Sequence, residues 1–414
     1  MAHTIIWIIA ILVTAGIIVR PFNMPEAVWA VAGAIALVLF RLIVPSVAFA
    51  GVAKGLDVYL FLTGMMLLAE TAREEHLFDW LAAHATRMSN GSTTKLFLLI
   101  YVVGTLVTTF LSNDATAVVL TPAVAAAVKT AKVAKPLPYL FICAFIDNAA
   151  SFVLPISNPA NLVIYGSHMP PLLQWLPRYA LPSLLSIIVT YVLLFLTQKK
   201  NMDQKIRSNI DLPELTPGGR LAFIGIGITT VALLCASARD MQLGLPTALA
   251  GILTSAIVLI RVKKSPIKVI RGVSWSVLFL VAGLFVIVEA LNTTGLNAQL
   301  SAWIQHSARQ SIPATAWGSG IGIALISNVV NNLPSGLIAG SALHGTHVSE
   351  LIRSSILIGV DLGPNLSVTG SLATILWLVA LRREQQNVTA WTFLKLGCIV
   401  MSIALVVALA ALWI

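Results

Sequence analysis

Residues 111–122 read Leu111-Ser112-Asn113-Asp114-Ala115-Thr116-Ala117-Val118-Val119-Leu120-Thr121-Pro122, a polar cluster in an otherwise apolar region. It holds one carboxylate, one amide and three hydroxyls. A carboxylate at the bilayer centre costs about 2.5–3.5 kcal/mol on insertion scales, so such a cluster persists only where it faces protein, water or a solute. A similar cluster, Asn331-Asn332-Leu333-Pro334-Ser335-Gly336-Leu337-Ile338, follows 218 positions later. The pair predicts two halves of one site at membrane depth.

The composition is that of a membrane protein. Of the 414 residues, 58% are hydrophobic and only 10% are charged, whereas soluble domains carry about 25% charged residues. Apolar runs long enough to span a bilayer recur along the chain, which predicts a helical protein with many spans. The net charge of +10 is explained by basic loops on one side of the membrane, so no nucleic-acid partner is expected.

Eight apolar runs are the clearest candidate spans. The first is expected to be a mature span and not a signal peptide, because no small-residue cleavage site follows it. A mixed-charge segment, Glu70–Lys95, is amphipathic and predicts a helix at the membrane interface. The runs are Ile5–Val19, Glu26–Val44, Val58–Ala69, Leu96–Leu111, Pro177–Leu196, Leu221–Ala236, Pro246–Ile260 and Val277–Leu291.

Four segments are too polar or too interrupted to be ordinary spans. We predict re-entrant helical hairpins at about 112–129 and 328–344. Two prolines four positions apart, Pro155 and Pro159, should break a helix at about 139–166. A second broken helix is predicted at about 351–381, where Gly363-Pro364 and Gly370 interrupt the pattern. Irregular backbone at membrane depth is tolerated only against protein or a watery cavity.

The order of these features repeats. Residues 1–198 and 220–414 form two halves joined by a polar linker at 199–219. Asn331-Asn332 falls on Asn113-Asp114 at a shift of 218, and Asp361 falls on Asp147 at a shift of 214. Matching broken helices in two halves are typical of secondary transporters. The predicted fold is all-α, with two inverted repeats, about ten transmembrane helices, two hairpins and two broken helices.

The basic residues provide a separate argument for inversion. If the halves are inverted, the segments expected in the cytoplasm hold 20 of the 26 Lys and Arg residues. This asymmetry is what the positive-inside rule requires. The linker is then cytoplasmic, and both termini are predicted on the outer side.

The candidate site residues are the polar groups of the hairpins and broken helices. Those at the hairpins are also typical helix caps, and capping is compatible with presenting amides and a positive helix end to a solute. Burial disfavours a charged carboxylate, so Asp147, Asp361 and Asp114 are candidate proton-coupling residues. The candidate binding residues are Asn113, Asp114, Thr116, Asn148, Ser157, Asn158, Asn331, Asn332, Thr369 and Ser371.

These motifs together resemble the ArsB arsenite/antimonite efflux pumps of the ion transporter superfamily, over nearly the whole chain. The most specific segment is Asp361-Leu362-Gly363-Pro364 through Gly370-Ser371-Leu372-Ala373-Thr374, continuing to Leu378. The chain departs from the family at Asn365, where Lys is expected. The resemblance implies export of arsenite and antimonite across a bacterial inner membrane in exchange for protons, by a scaffold part and a transport part. No cofactor is implied.

Some members of that family work with a soluble ATPase, which is therefore an implied partner. The chain has no Gly-x-x-x-x-Gly-Lys-Ser/Thr loop with which to hydrolyse ATP itself. Two alternatives stay open: a sodium/proton antiporter on the same scaffold, and a channel subunit driven by the ATPase. No enzymatic activity is expected.

Trivalent arsenic is mainly the uncharged trihydroxide at neutral pH, and amides, hydroxyls and carbonyls suit it. A site of three thiolates is the rival. Cys143 lies one helical turn before Asp147, but Cys235 and Cys398 fall in presumed scaffold spans. Glu70 and Glu289 end matched spans and are either interfacial charges or part of a proton path.

Overall fold

The computed structural model describes residues 2–166, 169–204, 206–207, 212–344 and 348–414. In these residues the fold is helical throughout, without a β-strand, as predicted. The helices of the first half are α1 Ala2–Val19, α2 Glu26–Leu39, α3 Pro45–Lys54, α4 Leu56–Glu74, α5 Leu77–Met88, α6 Thr93–Phe110, α7 Asn113–Ala115, α8 Thr121–Thr130, α9 Leu137–Ala149, α10 Pro159–Tyr165 and α11 Leu172–Gln198.

The second half repeats this series of helices. It comprises α12 Pro217–Ala238, α13 Gly244–Val262, α14 Ile267–Gly272, α15 Ser276–Thr293, α16 Leu296–Gln310, α17 Ile312–Val330, α18 Asn332–Leu343, α19 Glu350–Leu362, α20 Leu372–Arg383 and α21 Ala390–Ala411. Of the predicted linker, Lys199–Asn201 forms a single 3-10 turn, and residues 205 and 208–211 lie outside the described part of the chain.

Fewer helices qualify as complete spans than the ten expected. Among the described residues, eight helices are long and apolar enough to cross a membrane, or nine if the bent pair α3–α4 is one span. Helices α2 and α9 are apolar but shorter. The difference lies in these two helices, which at 14 and 13 residues are too short to span a bilayer alone.

The two halves pack reciprocally in one body, the scaffold. Helix α4 of the first half packs on α13 of the second, and α15 of the second packs on α2 of the first. A Cβ on Gly64 would lie 2.1 Å from the Thr247 carbonyl oxygen, and one on Gly283 would lie 2.6 Å from the Ala30 carbonyl carbon. Small residues let transmembrane helices approach this closely. Each half thus packs two of its helices against two helices of the other half, as expected of a duplicated, symmetric pair.

The hairpins differ in extent from the prediction. The Thr108 and Thr116 hydroxyls are 2.8 Å apart, and Gly104 faces Leu120, so α6 runs antiparallel to the helix that begins at Asn113. The first hairpin is therefore α6 plus Asn113–Thr130, and segment 112–129 is its second arm. Likewise the second hairpin consists of α17 and α18 and turns at Asn331, so segment 328–344 is mostly one arm.

The second arm of the first hairpin contains a π-helical turn, Thr116–Leu120. Its cause lies in Pro122, which has no N–H to donate into the helix. The Thr121 N–H bonds the Thr116 carbonyl, five residues back, and the Thr121 hydroxyl lies 3.3 Å from the same oxygen. The π turn thus carries the arm past the proline without ending it.

The broken helices are α9–α10 and α19–α20, and their caps define the repeat register. Asn158 caps α10 and Ser371 caps α20, 213 positions apart. Ser112 and Asn331 cap the second arms of the hairpins, 219 positions apart. These shifts differ by one residue from the 214 and 218 read from the sequence. In the structural register Asp361 corresponds to Asn148 and not to Asp147, so the two buried aspartates are not symmetry mates.

Basic residues of both halves gather on one face of the molecule. The Lys264 ammonium bonds the buried Glu75 carboxylate at 2.8 Å, and Arg73, Arg271 and Arg383 line one vestibule. The amphipathic segment predicted at Glu70–Lys95 forms the end of α4 and then α5, whose apolar side is buried. Residues from both halves therefore meet at this face, as the inverted arrangement requires.

Candidate functional site

The two hairpin tips begin their second arms with side-chain caps. The Ser112 hydroxyl accepts a hydrogen bond from the Ala115 N–H, and the Asn113 side-chain oxygen accepts from the Asp114 N–H at 2.9 Å. At the other tip Asn331, with φ 74°, accepts from the Leu333 N–H. Such caps satisfy helix N–H groups that otherwise have no partner. They also hold the tip amides at fixed positions.

Each tip is bonded to the break in the broken helix of its own half. Ser157 donates to the Thr109 carbonyl at 2.9 Å, and Thr369 donates to the Asn328 carbonyl at the same distance. The Asn332 N–H also donates to the Gly370 carbonyl at 2.8 Å. Hairpin and break in each half are therefore one bonded unit.

Two hydrogen bonds between side chains join the broken helices of the two halves. The Asn158 amide donates to Asp361 Oδ1 at 2.8 Å, and the Asn148 amide donates to Asn365 Oδ1 at 3.0 Å. All four side chains are buried. The amide of Asn365 continues to the Phe145 carbonyl at 2.9 Å. These bonds, with the packing of α10 on α18 and of α20 on the first hairpin, unite the second body, the transport part.

A small cavity lies where the tips meet the scaffold. Its volume is about 30 Å³, enough for one or two water-sized groups. The polar lining consists of Asn113, Asp114, Asn158 and Asn332. Apolar side chains, including Leu62, Val277 and Val281 of the scaffold, complete the wall. No lysine or arginine of the described chain lines this cavity.

The other predicted binding residues lie near the cavity but use their polar groups elsewhere. The Thr116 hydroxyl pairs with Thr108 inside the first hairpin. The hydroxyls of Ser157 and Thr369 hold the breaks, as described above. Ser371 caps α20 by accepting from the Thr374 N–H at 3.0 Å, and the Asn331 amide is 3.3 Å from the Thr369 carbonyl. These residues shape the site, and none of them lines the cavity.

Asp147 is the most unusual side chain in the region. It is completely buried, and neither carboxylate oxygen has a hydrogen-bond partner among the described residues. A buried charge is retained only with a partner or when neutralised. Asp114, which lines the cavity, is close enough to interact with it electrostatically. Asp361 is equally buried, with Asn158 bonded to one oxygen and the second oxygen unpartnered in the described chain.

Two residues of this network were not selected from the sequence as site residues. Asn365 was noted only as a departure from the family, yet it joins α9 to the second break. Asn328 donates to the Gly363 carbonyl at 2.9 Å and accepts from Ser367 at 2.8 Å, so it fixes the fold of that break. The sequence signal that could have identified Asn328 is an amide side chain one helical turn before Asn331.

The cavity adjoins a path toward the face that bears the basic residues. An adjoining space of about 50 Å³ shares Asp114 and Leu62 with the cavity and reaches Glu70. It opens into a vestibule of about 680 Å³ that carries Arg73, Arg271 and Arg383. The wall at the junction is formed by Val118, Val119 and Leu376, which line both spaces.

The two glutamates considered for a proton path are ion-paired. Glu70 is bonded by Arg73, whose Nε lies 2.8 Å from Oε2, and Glu289 pairs with Lys54 at 2.6 Å. Glu70 nonetheless borders the path to the vestibule. The contacts of Glu289 are those of an interfacial ion pair.

The three cysteines do not assemble. Cys143 is buried in α9, whereas Cys235 on α12 and Cys398 on α21 are exposed. Within the described residues, no group of three or more His, Cys, Asp or Glu side chains is arranged to hold a metal ion. A three-thiolate site is therefore not formed in this structure.

Paired hairpin tips, broken helices and a polar cavity beside them are features of a membrane transporter. Residues 5–359 match the family model described as "Citrate transporter" (CitMHS). The chain belongs to this family of membrane transporters, and its function is accordingly transport and not enzymatic catalysis.

The names of similar proteins match the family that the sequence motifs predict. An "Arsenical pump membrane protein" of Escherichia coli is 30% identical over 366 residues, covering 82% of each chain. A "Putative arsenical pump membrane protein" of Bacillus subtilis is 24% identical and covers 95% of each. The crystal structure of the Alcanivorax borkumensis YdaH transporter has a similar fold, with a TM-score of 0.59 at 14% identity, over 99% of this chain and 97% of that one. The resemblance to ArsB pumps is confirmed at the level of the family.

Proposed function

We propose that this protein exports trivalent arsenite and antimonite from the cytoplasm in exchange for protons. The observation that carries the proposal is the chemistry of the cavity: three amides, one carboxylate and no cationic side chain in the described chain. A small uncharged trihydroxide can donate hydrogen bonds to the amide oxygens and to Asp114, and accept them from the amide N–H groups. Relatives named as arsenical pumps support the same substrate class.

The lining also bears on the family description. A tricarboxylate would bring several negative charges to a cavity whose only ionisable lining group among the described residues is the carboxylate Asp114. Transfer of such an anion from water without a paired cation is costly. A neutral solute avoids this cost, so arsenite is favoured over citrate.

The proton part of the proposal rests on Asp147 and Asp361. Both are wholly buried and carry unpartnered oxygens within the described structure. A carboxylate in this environment is stabilised by taking up a proton, and Asp114 connects the region to the cavity. We assign proton coupling to Asp147, Asp361 and Asp114, and solute binding to the cavity amides.

The orientation is part of the proposal. The face bearing the vestibule is assigned to the cytoplasm of a bacterial inner membrane because it holds the basic residues. Both ends of the chain then lie on the outer side. Arsenite would enter through the vestibule and leave on the opposite face after the transport part moves.

Uptake into everted membrane vesicles tests the proposal. Radioactive or mass-detected arsenite should accumulate when the lumen is acidified, and accumulation should stop when the pH gradient is collapsed. Excess antimonite should compete, whereas citrate should not. Sodium-dependent pH changes without arsenite uptake would instead indicate a sodium/proton antiporter. Uptake only with an added ATPase would indicate the channel subunit.

A further inference from the structure

The bond between Asn158 and Asp361 connects a cavity wall to a buried carboxylate. Asn158 lines the cavity on one side and donates to Asp361 Oδ1 on the other, at 2.8 Å. Asn158 belongs to the first half and Asp361 to the second, 203 positions later. A change of charge on Asp361 therefore reaches the cavity through a single side chain.

The second polar atom of Asn158 is engaged as well. Its oxygen accepts from the Ala160 N–H at 3.0 Å and caps α10. The side chain is therefore held at both ends, with only its second amide hydrogen and a second oxygen lone pair left for a solute. Its orientation in the cavity depends on both anchors.

The anchor at Asp361 depends on protonation. An ionised carboxylate accepts a charge-assisted hydrogen bond, which is roughly twice as strong as a neutral one. Among the described residues Asp361 accepts a hydrogen bond from the Asn158 amide, whereas the nearby Ser151 hydroxyl donates to the Asn148 carbonyl. No charged side chain of the described residues acts on Asp361. The other buried carboxylates of the transport part, Asp147 and Asp114, interact with one another. Protonation of Asp361 therefore chiefly weakens the hydrogen bond that holds the Asn158 side chain.

We infer that Asn158 is a positioning residue that makes proton and solute binding at this site mutually opposed. With Asp361 ionised, Asn158 is fixed and the cavity is organised for the solute. When Asp361 takes up a proton, Asn158 is released and the solute binds less tightly. Because coupling between two ligands is reciprocal, solute binding must expel the proton from Asp361. An exchanger requires this sign of coupling.

This inference rests on the proposed function and is tested on the purified full-length protein. The variant is Asn158→Ser, because serine keeps an oxygen for the cap but cannot reach Asp361 with an amide. Serine already occupies the corresponding cap of the second half, where Ser371 holds α20. Asp361→Asn removes the titrating partner, and Asp203→Asn, at an exposed position in the linker, serves as the control.

The measurement is arsenite titration by calorimetry in buffers of different ionisation enthalpy, which counts the protons released on binding. Wild type and Asp203→Asn should release the same number, and their affinity should fall as the pH is lowered. Asn158→Ser and Asp361→Asn should each release about one proton fewer, and the double variant should lose no more than either single one. Thermal melting should show that Asn158→Ser is folded.

Two results distinguish a failure of this inference from a failure of the proposed function. If wild type binds arsenite and Asn158→Ser still releases the wild-type number of protons, the link through Asn158 is disproved while the arsenite proposal stands. If folded wild type binds no arsenite at any pH, the proposed function fails first.

Discussion

At the scale of single residues, the polar groups of the transport part divide into those that hold the structure and those that face the cavity. Ser157, Thr369 and Ser371 satisfy backbone groups in the breaks. Asn113 and Asn332 line the cavity. This division follows from the cost of leaving a buried polar group without a partner, since every break needs hydroxyls to replace the lost helix bonds.

Replacement of Asp147 or Asp361 by Asn should abolish proton-driven arsenite uptake into everted vesicles, lowering the initial rate at least about tenfold. The amide has a similar shape but cannot carry a proton through the cycle. Asp203→Asn, in the exposed linker, should transport at the wild-type rate. Full activity in both buried variants would remove these aspartates from the coupling mechanism.

Replacement of Asn113 or Asn332 by Ala should weaken arsenite binding about 3–10-fold, because one hydrogen bond contributes about 0.5–1.5 kcal/mol. The comparison variant is Asn90→Ala, at an exposed position between α5 and α6. Kd by calorimetry is the measurement. Unchanged affinity in both cavity variants would show that the solute binds elsewhere.

At the scale of helices, small residues decide how the scaffold packs. Gly64 of α4 and Gly251 of α13 face one another, and a Cβ on Gly251 would lie 2.4 Å from the Gly64 carbonyl oxygen. The neighbouring atoms are backbone, so they cannot turn aside as a flexible side chain would. The hairpins depend on a second local device, the π turn before Pro122, which keeps the second arm continuous.

Gly64→Ala should therefore destabilise the scaffold by about 1–3 kcal/mol, the usual cost of overpacking. Gly227 of α12 is the matched site, because a Cβ there has no neighbour within 4 Å. Gly227→Ala should be neutral or slightly stabilising. Thermal unfolding in detergent, followed by size-exclusion chromatography, compares the two. Equal melting temperatures would show that the α4–α13 contact can relax.

At the scale of the whole molecule, the two bodies place the cavity at their boundary and open it toward one face. The transport part supplies all the polar lining, and the scaffold contributes apolar side chains such as Leu62 and Val281. The apolar wall offers no side-chain hydrogen bonds to the polar groups opposite it, so the movement proposed for the transport part would break none there. The vestibule with Arg73, Arg271 and Arg383 adjoins this cavity through the smaller space that lies between them.

Cysteine labelling tests this orientation. In a variant without native cysteines that still transports, Val118→Cys at the vestibule wall should react with a membrane-impermeant maleimide in everted vesicles and not in intact cells. Gln174→Cys, on the face that carries the Arg178–Glu350 ion pair, should show the reverse. Labelling of both positions from one side would contradict the placement of these two faces on opposite sides of the membrane.

The sequence by itself determined the class of protein and the location of its polar segments. Low charge, long apolar runs and repeated polar interruptions leave a helical membrane protein as the only physically tolerable fold. Gly, Pro and capping residues marked both tips and both breaks, because these residues act on the local backbone. The resemblance to arsenical pumps depended on the same short motifs.

Tertiary structure decided what the sequence pattern left open. The extent of the hairpins depends on which helix folds back on the tip, and the Thr108–Thr116 contact shows that it is α6. The offset between the two repeats differs by one residue from the offset read from the sequence. The reason is that equivalent positions are defined by the helix caps and not by matching residue types. The pairing of Asn158 with Asp361 could not be foreseen, since it joins residues of different halves. Local sequence determines backbone breaks, but only packing determines which buried polar groups meet.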